Sequence, residues 1–212
     1  MPERAIVFVD GNNWFHALKN AGLTNLGQLN YAKVSRKILM GREWVATHYY
    51  VGQVRQEDNA QLYAAQRRAM MWLKARDTRI RIIYGRLEPR RVINDAAIEL
   101  KEYLANLTIR IDRDVYRYLS ALANRYERLT VPVEKAVDVN IAVDMVSMAI
   151  NNEYDTAYLL SADGDFTPAV DTAMAQGKKI FAVSIEPGAK LAKSVHKFIR
   201  LNKDWFDECF GE

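Results

Sequence analysis

Four aspartates stand where the chain passes from strand-like to helix-like sequence. Asp10 closes the apolar run AIVFVD and opens Asp10-Gly11-Asn12-Asn13. Asp163 and Asp165 follow the run TAYLLS, within Ser161-Ala162-Asp163-Gly164-Asp165. Asp138 opens the helical pattern of VDVNIAVDM, and Asp144 lies further along it. Carboxylates held within several ångströms of one another repel, and some take up protons unless a counter-charge is present. A divalent cation removes that conflict. Hard oxygen ligands, with water completing an octahedron, suit Mg²⁺ or Mn²⁺. Such an ion activates water and stabilises charge on a transferring phosphoryl group.

Each acid also has a conformational reading. Asp-Gly-Asn-Asn is turn-forming sequence. Asp165 fits the cap of a helix that begins Phe166-Thr167-Pro168, since proline is accepted in a first turn. Asp138 fits an N-cap in the same way. Asp144 shares a polar helical face with Asn140, Ser147 and Asn151, which favours solvent or, alternatively, a view into the crevice. Asp163 is harder to explain so, because it follows an apolar strand and is not needed as the cap. Trp14 and Phe15 are assigned to packing.

The elements that must position these acids form an alternating pattern. Strand-like runs cover 5–10, 45–52, 79–85, 156–161 and 179–184. Helical patterns cover 30–40, 58–76, 138–151 and 165–176, the second opening on Glu57-Asp58-Asn59 and the last ending at Gly177. Short strands rich in Val, Ile and Tyr, alternating with helices, predict a three-layer α/β/α fold with a mostly parallel sheet of five or six strands. Ligands in such folds collect outside the carboxyl ends of the strands, near a topological switch point. If the first and fourth runs are neighbours, Asp10, Asp163 and Asp165 emerge side by side. Residues 87–134 break the rhythm. INDAAIELKEYLANL and RDVYRYLSALANRYERL read as two amphipathic helices, the second with Val115, Leu119, Leu122 and Tyr126 at helical spacing. They predict a helical insertion within one domain spanning 1–212.

Composition narrows the class. Half of the 212 residues are hydrophobic, enough for a sizeable core. No apolar run approaches the roughly 18–20 residues of a membrane span. Charged Glu3 and Arg4 lead straight into a strand, unlike a signal peptide. Cys209 is the single cysteine, which excludes an intrachain disulfide and a cysteine zinc site. His16, His48 and His196 show no ligand spacing. A soluble, cytoplasmic protein is the expectation. The net charge of +4 is uneven: residues 79–135 hold 12 Lys and Arg against 8 Asp and Glu, and the rest of the chain is balanced. A basic element on a neutral body suits a polyanionic partner, or else a salt-bridged helical surface.

FVDGNNWF, KAVDVNIAVDM and LLSADGDFTPAV, in this order, resemble the NYN domain family and, within it, the LabA-like branch of the PIN-like nuclease superfamily. GAKLAKSVHKFIRL is similar to the family's closing helix and strand. Ala136 and Ala162 stand where the family often has glycine, and His196 where an acid is more usual. The resemblance implies a Rossmann-like domain that binds Mg²⁺ or Mn²⁺ and cleaves RNA, with an endoribonuclease as the expectation. It assigns the catalytic acids to Asp10, Asp138, Asp163 and Asp165. The first three hold the metal, directly or through water. Asn12, Asn13 and Asp144 support them. Arg86, Arg90, Arg91, Arg113 and Arg117 are the expected RNA contacts. Arg110, Arg125, Arg128, Tyr116, Tyr118 and Tyr126 are interleaved with these, a mixture suited to phosphate contact and base stacking on single strands. Packing is the preferred role for Tyr126. The insertion equally suits a homodimer arm or a surface for a protein partner. Two rivals are a non-catalytic RNA- or protein-binding module with a structural metal, and a phosphatase using Asp10 as nucleophile. The second wants an acid two residues on, where Asn12 stands.

Overall fold

The computed structural model describes residues 2–211, apart from the side chains at 89, 91, 130, 131, 132 and 134. The chain forms two compact units, Met1–Arg86 with Lys135–Glu212, and Leu87–Glu134.

In the larger unit, β1 (Arg4–Asp10) is buried along nearly its whole length. That is why it reads as a continuous apolar run rather than an alternating one. α1 (Gly11–Asn20) follows at once, then α2 (Tyr31–Leu39), β2 (Glu43–Gln53) and α3 (Ala60–Arg76). β3 (Ile80–Ile93) runs on into the smaller unit, which holds α4 (Asp95–Ala105), α5 (Arg113–Tyr126) and most of β4 (Arg128–Lys135). The chain continues with α6 (Val137–Ile150), β5 (Thr156–Leu160), α7 (Thr167–Ala175), β6 (Lys179–Ser184) and β7 (Lys197–Arg200).

The sheet order is β4-β3-β2-β1-β5-β6-β7. Six strands, β3 through β7 without β4, pair in parallel, as the alternating pattern predicts. β4 adds a seventh at the edge. The order runs outward from β1 through β2 and β3, and the other way from β5 through β6 and β7. The switch point therefore lies between β1 and β5.

Alternation along β1 sends Ile6 and Phe8 to one face and Val7 and Val9 to the other. Ile6 and Phe8 meet Ile141 and Met145 of α6 and Val170 of α7. Val7 and Val9 meet Trp14, Val34, Ile38 and Phe206. These two apolar layers make the three-layer architecture. Trp14 is fully buried against Phe206, with ring centroids 6.0 Å apart. Phe15, also expected to pack, is instead 43% exposed, because successive helical residues face different sides.

Gly11 joins β1 to α1 with no loop between them. A Cβ there would run into the Tyr50 carbonyl oxygen and come within 2.8 Å of the Tyr49 ring. Only glycine lets the helix start that close to the end of β2.

Taken by itself, the smaller unit holds more than the two expected helices. Strand segments of β3 and β4 flank them, and Asn94 N–H donates to the Glu127 carbonyl at 3.0 Å. Lys101 and Glu127 form an ion pair at 2.7 Å. Val115 and Tyr126 are largely exposed, so the packing role expected of Tyr126 is not seen.

Candidate active site

Register places the acids. Asp10 pairs with Tyr50 across β2, and Val9 pairs with Leu160 of β5, so Asp10 and Ser161 leave the sheet together. The Asp10 side chain is 3% exposed. Its Oδ1 accepts the Asn13 N–H at 3.2 Å, capping α1. Its Oδ2 accepts the Ser161 hydroxyl at 3.1 Å. Ser161 Oγ in turn accepts the Asp163 N–H at 3.1 Å. Asn13 Oδ1 accepts the Ala162 N–H at 3.3 Å, a second stitch between the two strand ends. Asn13 thus shapes the loop, while Asn12 is exposed.

The conformational roles of the two later acids are the reverse of those expected. Asp163 is the cap: its Oδ1 accepts the Asp165 N–H at 2.9 Å and starts the 3-10 turn Gly164–Phe166. Asp165 lies inside that turn with its side chain 87% exposed. Spacing of two residues cannot separate these outcomes, because either acid can reach a free N–H in a first turn.

Asp138 is not the N-cap of α6. Ala136 holds that position with φ 69°, and Asp138 falls in the first turn. There the free N–H groups of the helix favour a carboxylate. The Asp138 carboxyl is nevertheless raised above its ordinary pKa. Desolvation by surrounding protein is the main cause, and the charges of Asp163 and Asp165 add to it. Those acids therefore act on one another electrostatically.

Asp144 serves a different place. Its Oδ2 accepts the Tyr50 hydroxyl at 2.7 Å, and His48 Nδ1 lies 3.9 Å from the same oxygen. Burial lowers the His48 pKa, against a smaller raising effect of Asp144. The neutral ring with its Nδ1 3.3 Å from the Tyr50 hydroxyl is the preferred form. Asp144 so fastens α6 to β2 beneath the acids rather than facing solvent.

Three participants carried no signal in the sequence. Ser161 looked like part of a turn. Tyr50 looked like core. Lys190 follows β6 by six residues, yet it folds over the acid loop. A Cβ on Gly164 would lie 2.7 Å from Lys190 Cδ, and Lys190 Nζ is 3.9 Å from Asp165 Oδ1. Only the path of the chain after β6 brings it there.

Arg86, Arg90, Arg113 and Arg117 are exposed, and Arg117 is 3.4 Å from Asp114. The side chain of Arg91 lies outside the described residues.

Whether these acids suit a divalent ion turns on two observations. Among the described residues, no three His, Cys, Asp or Glu side chains are drawn together as a ready metal cage. On the other hand, the raised pKa of Asp138 marks a like-charge conflict of the kind a cation relieves. Mg²⁺ keeps several waters and is usually bound by one or two carboxylates plus substrate phosphates, so it needs no such cage. The donor set fits that mode of binding.

A doubly wound α/β sheet with carboxylates gathered at its switch point is an α/β/α fold of the PIN-like kind. The NYN domain model matches residues 115–202. That span carries Asp138, Asp163, Asp165 and Lys190 but begins after Asp10, and it supports a nuclease-type function. An uncharacterized protein of Methanocaldococcus jannaschii is 39% identical over 56 residues, covering 26% of this chain and 23% of its own length. The matched stretch is thus under a quarter of that relative. A crystal structure of a protein of unknown function from Vibrio parahaemolyticus aligns with a TM-score of 0.53 and 16% identity, over 96% of this chain and 95% of that one. That likeness is one of fold. No described helix is long and apolar enough to cross a membrane.

Proposed function

We propose that the protein is a divalent-metal-dependent ribonuclease of the LabA-like NYN kind, cleaving RNA phosphodiester bonds at the switch point between β1 and β5. The observation that carries this reading is the hydrogen-bond chain from Asp10 through Ser161 to Asp163, with Asp138 electrostatically coupled to Asp163. Asp10, Asp138 and Asp163 are the candidates to hold Mg²⁺ or Mn²⁺, with water filling the remaining positions. When bound, the ion supplies charge neutralisation at phosphorus and acidifies water.

The chain's own groups do the rest. Ser161 and Asn13 fix the Asp10 carboxylate and the Asp163 loop relative to each other. Asn12, exposed beside them, offers an amide to a phosphate oxygen. Lys190 brings an ammonium group next to Asp165, where a phosphate entering the acidic site needs a counter-charge. Arg86 on the larger unit, and Arg90, Arg91, Arg113 and Arg117 on 87–134, supply phosphate contacts. Exposed Tyr116 and Tyr118 on α5 suit stacking with unpaired bases. Residues 87–134 read as an insertion serving this RNA contact, and a cytoplasmic location is part of the proposal.

The test is cleavage of labelled single-stranded RNA with Mg²⁺ or Mn²⁺ by the wild type, Asp10→Asn and Asp163→Asn. Each substitution is expected to lower the rate on the order of 100-fold or more. No cleavage by the wild type, or cleavage untouched by both changes, overturns the reading in favour of a non-catalytic binding module.

A further inference from the structure

A second recess in the larger unit is used by nothing described so far. It is a cleft of about 690 Å³ beyond the carboxyl ends of β6 and β7, bordered by Ile185, Arg200, Asn202, Lys203 and Trp205 and by Ala21 at the end of α1. The local sequence explains its shape. Leu201 N–H still pairs with the Ser184 carbonyl at 2.9 Å, extending the β6–β7 ladder by one bond. Asn202 then turns the chain, its Oδ1 accepting the Trp205 N–H at 3.1 Å. Asn20 Nδ2 donates to Glu186 Oε1 at 3.1 Å and ties the end of α1 to the loop after β6.

Its walls differ in chemistry. Trp205 is half-buried and fixed from several sides. Phe206 meets it edge-on at 5.0 Å, Lys37 Nζ lies 5.0 Å over its ring, and the same ammonium donates to the Trp205 carbonyl at 2.8 Å. Arg200 and Lys203 are exposed, and neither makes an ion pair among the described residues. The acids nearby are Glu186, held by Asn20, and exposed Asp204. A rigid aromatic wall beside two uncommitted cations matches one nucleotide: a base for the indole and Ile185, a phosphate for Arg200 and Lys203. The volume lies within the usual range for small-ligand sites.

α1 links this cleft to the acids. Its N-terminus is capped by Asp10, and its other end borders the cleft, about 15 Å away at 1.5 Å per residue. We infer that the cleft is a subsite for a flanking nucleotide of single-stranded RNA, whose strand follows α1 from the acidic site. The inference rests on the nuclease reading for the direction of the strand, but its test does not.

The test is anisotropy of a fluorescein-labelled eight-nucleotide uridine RNA with the full chain in EDTA, which prevents turnover. Arg200→Gln/Lys203→Gln is expected to weaken binding about 10-fold at low salt and to flatten the log–log salt dependence by about 1.4, at about 0.7 per lost phosphate contact on a single strand. Trp205→Leu is expected to weaken binding at least ~5-fold with the salt slope unchanged, since stacking carries no counterion release. Arg68→Gln on α3 serves as the control and leaves binding unchanged. Melting curves confirm that each variant is folded. Should Trp205→Leu fail to fold, the two exposed cations decide alone. Wild-type RNA affinity in the Arg200/Lys203 variant overturns the proposal. So does binding of uridine monophosphate that depends on these residues while RNA binding does not. Weakened RNA binding together with no cleavage by the wild type leaves the cleft standing and removes the nuclease reading instead.

Discussion

The Ser161 hydroxyl donates to Asp10 Oδ2 at 3.1 Å and accepts the Asp163 N–H at the same distance, so one serine couples the ends of β1 and β5. Ser161 is fully buried, and so is nearly all of Asp10. Replacing it with alanine leaves a buried carboxylate oxygen and a backbone N–H each short of a partner. A loss of about 1–3 kcal/mol in stability is expected, the usual cost of an unsatisfied buried group. Denaturant unfolding of Ser161→Ala measures it. Under the proposed function, the same variant loses RNA cleavage with its Asp10 and Asp163 carboxylates intact. A variant with wild-type stability and wild-type cleavage would show that the strand ends hold their positions without this bridge.

Gly11→Ala tests the joint between β1 and α1. The added methyl meets the Tyr50 carbonyl and the Tyr49 ring, and the carbonyl belongs to the ladder and cannot move alone. The expected cost is about 1–3 kcal/mol, as for other overpacked sites. A melting temperature equal to that of the wild type would mean that α1 can shift away from β2 freely.

These two residues show what was legible in the sequence. The apolar runs, the helical periods and the order of the acids predicted the parallel sheet and brought Asp10 and Asp163 to one edge. The start of α1 was hidden, because Asp-Gly-Asn-Asn is equally good as a loop; the deciding facts are the Asp10 cap and the close approach of Tyr50. β4 was hidden because its sequence RLTVPVEK follows a helical pattern and contains a proline, which argues for an edge at best. The exchange of roles between Asp163 and Asp165 depends on hydrogen bonds two residues apart, below the resolution of any periodicity. Lys190 depends on how a loop crosses a glycine, and no spacing encodes that.

Ala136 makes a stability prediction of the opposite sign. Its φ of 69° puts a side-chain-bearing residue in the left-handed region, at the N-cap of α6. That conformation costs an L-residue about 1–2 kcal/mol. Glycine avoids the cost but loses about 0.5–1 kcal/mol in unfolded-state entropy. Ala136→Gly is therefore expected to stabilise the protein by several tenths of a kcal/mol, up to about 1 kcal/mol. Chemical denaturation with an unchanged slope reads this directly, and a destabilised variant would refute it.

Tyr50→Phe isolates the link between α6 and β2. The hydroxyl donates to Asp144 Oδ2 at 2.7 Å, and the ring is fully buried. Deleting the oxygen removes a bond to a charged acceptor, which is worth about 1.5–3 kcal/mol when buried. Asp144 is partly exposed and water replaces some of that bond, so about 1 kcal/mol is expected. Asp144→Asn in the same background should add little, since the two groups act as one unit. Fully additive losses in the double variant would show that Asp144 has another essential partner.

Glu3 sets the acid limit of the fold. Its carboxylate accepts the Thr156 hydroxyl at 2.7 Å and Arg42 Nε at 2.8 Å, and Lys179 Nζ lies 3.0 Å away. The Thr156 and Lys179 hydrogen bonds lead in pulling its pKa from 4.5 down to about 2, with Arg42 assisting against a smaller burial effect. A carboxylate with a depressed folded pKa binds its proton more readily when unfolded. Its stabilising contribution is therefore complete above the unfolded value of 4.5 and is lost as pH falls toward about 2. The side chain keeps 29% of its surface exposed, so solvent screening reduces the contribution to about 1–2 kcal/mol. Glu3→Gln is expected to lower stability by that amount at pH 7. The gap between variant and wild type should close progressively below pH 4.5. Parallel urea titrations from pH 7 to pH 3 test this, and a gap that stays constant over the range would show that shape, not charge, is what Glu3 contributes.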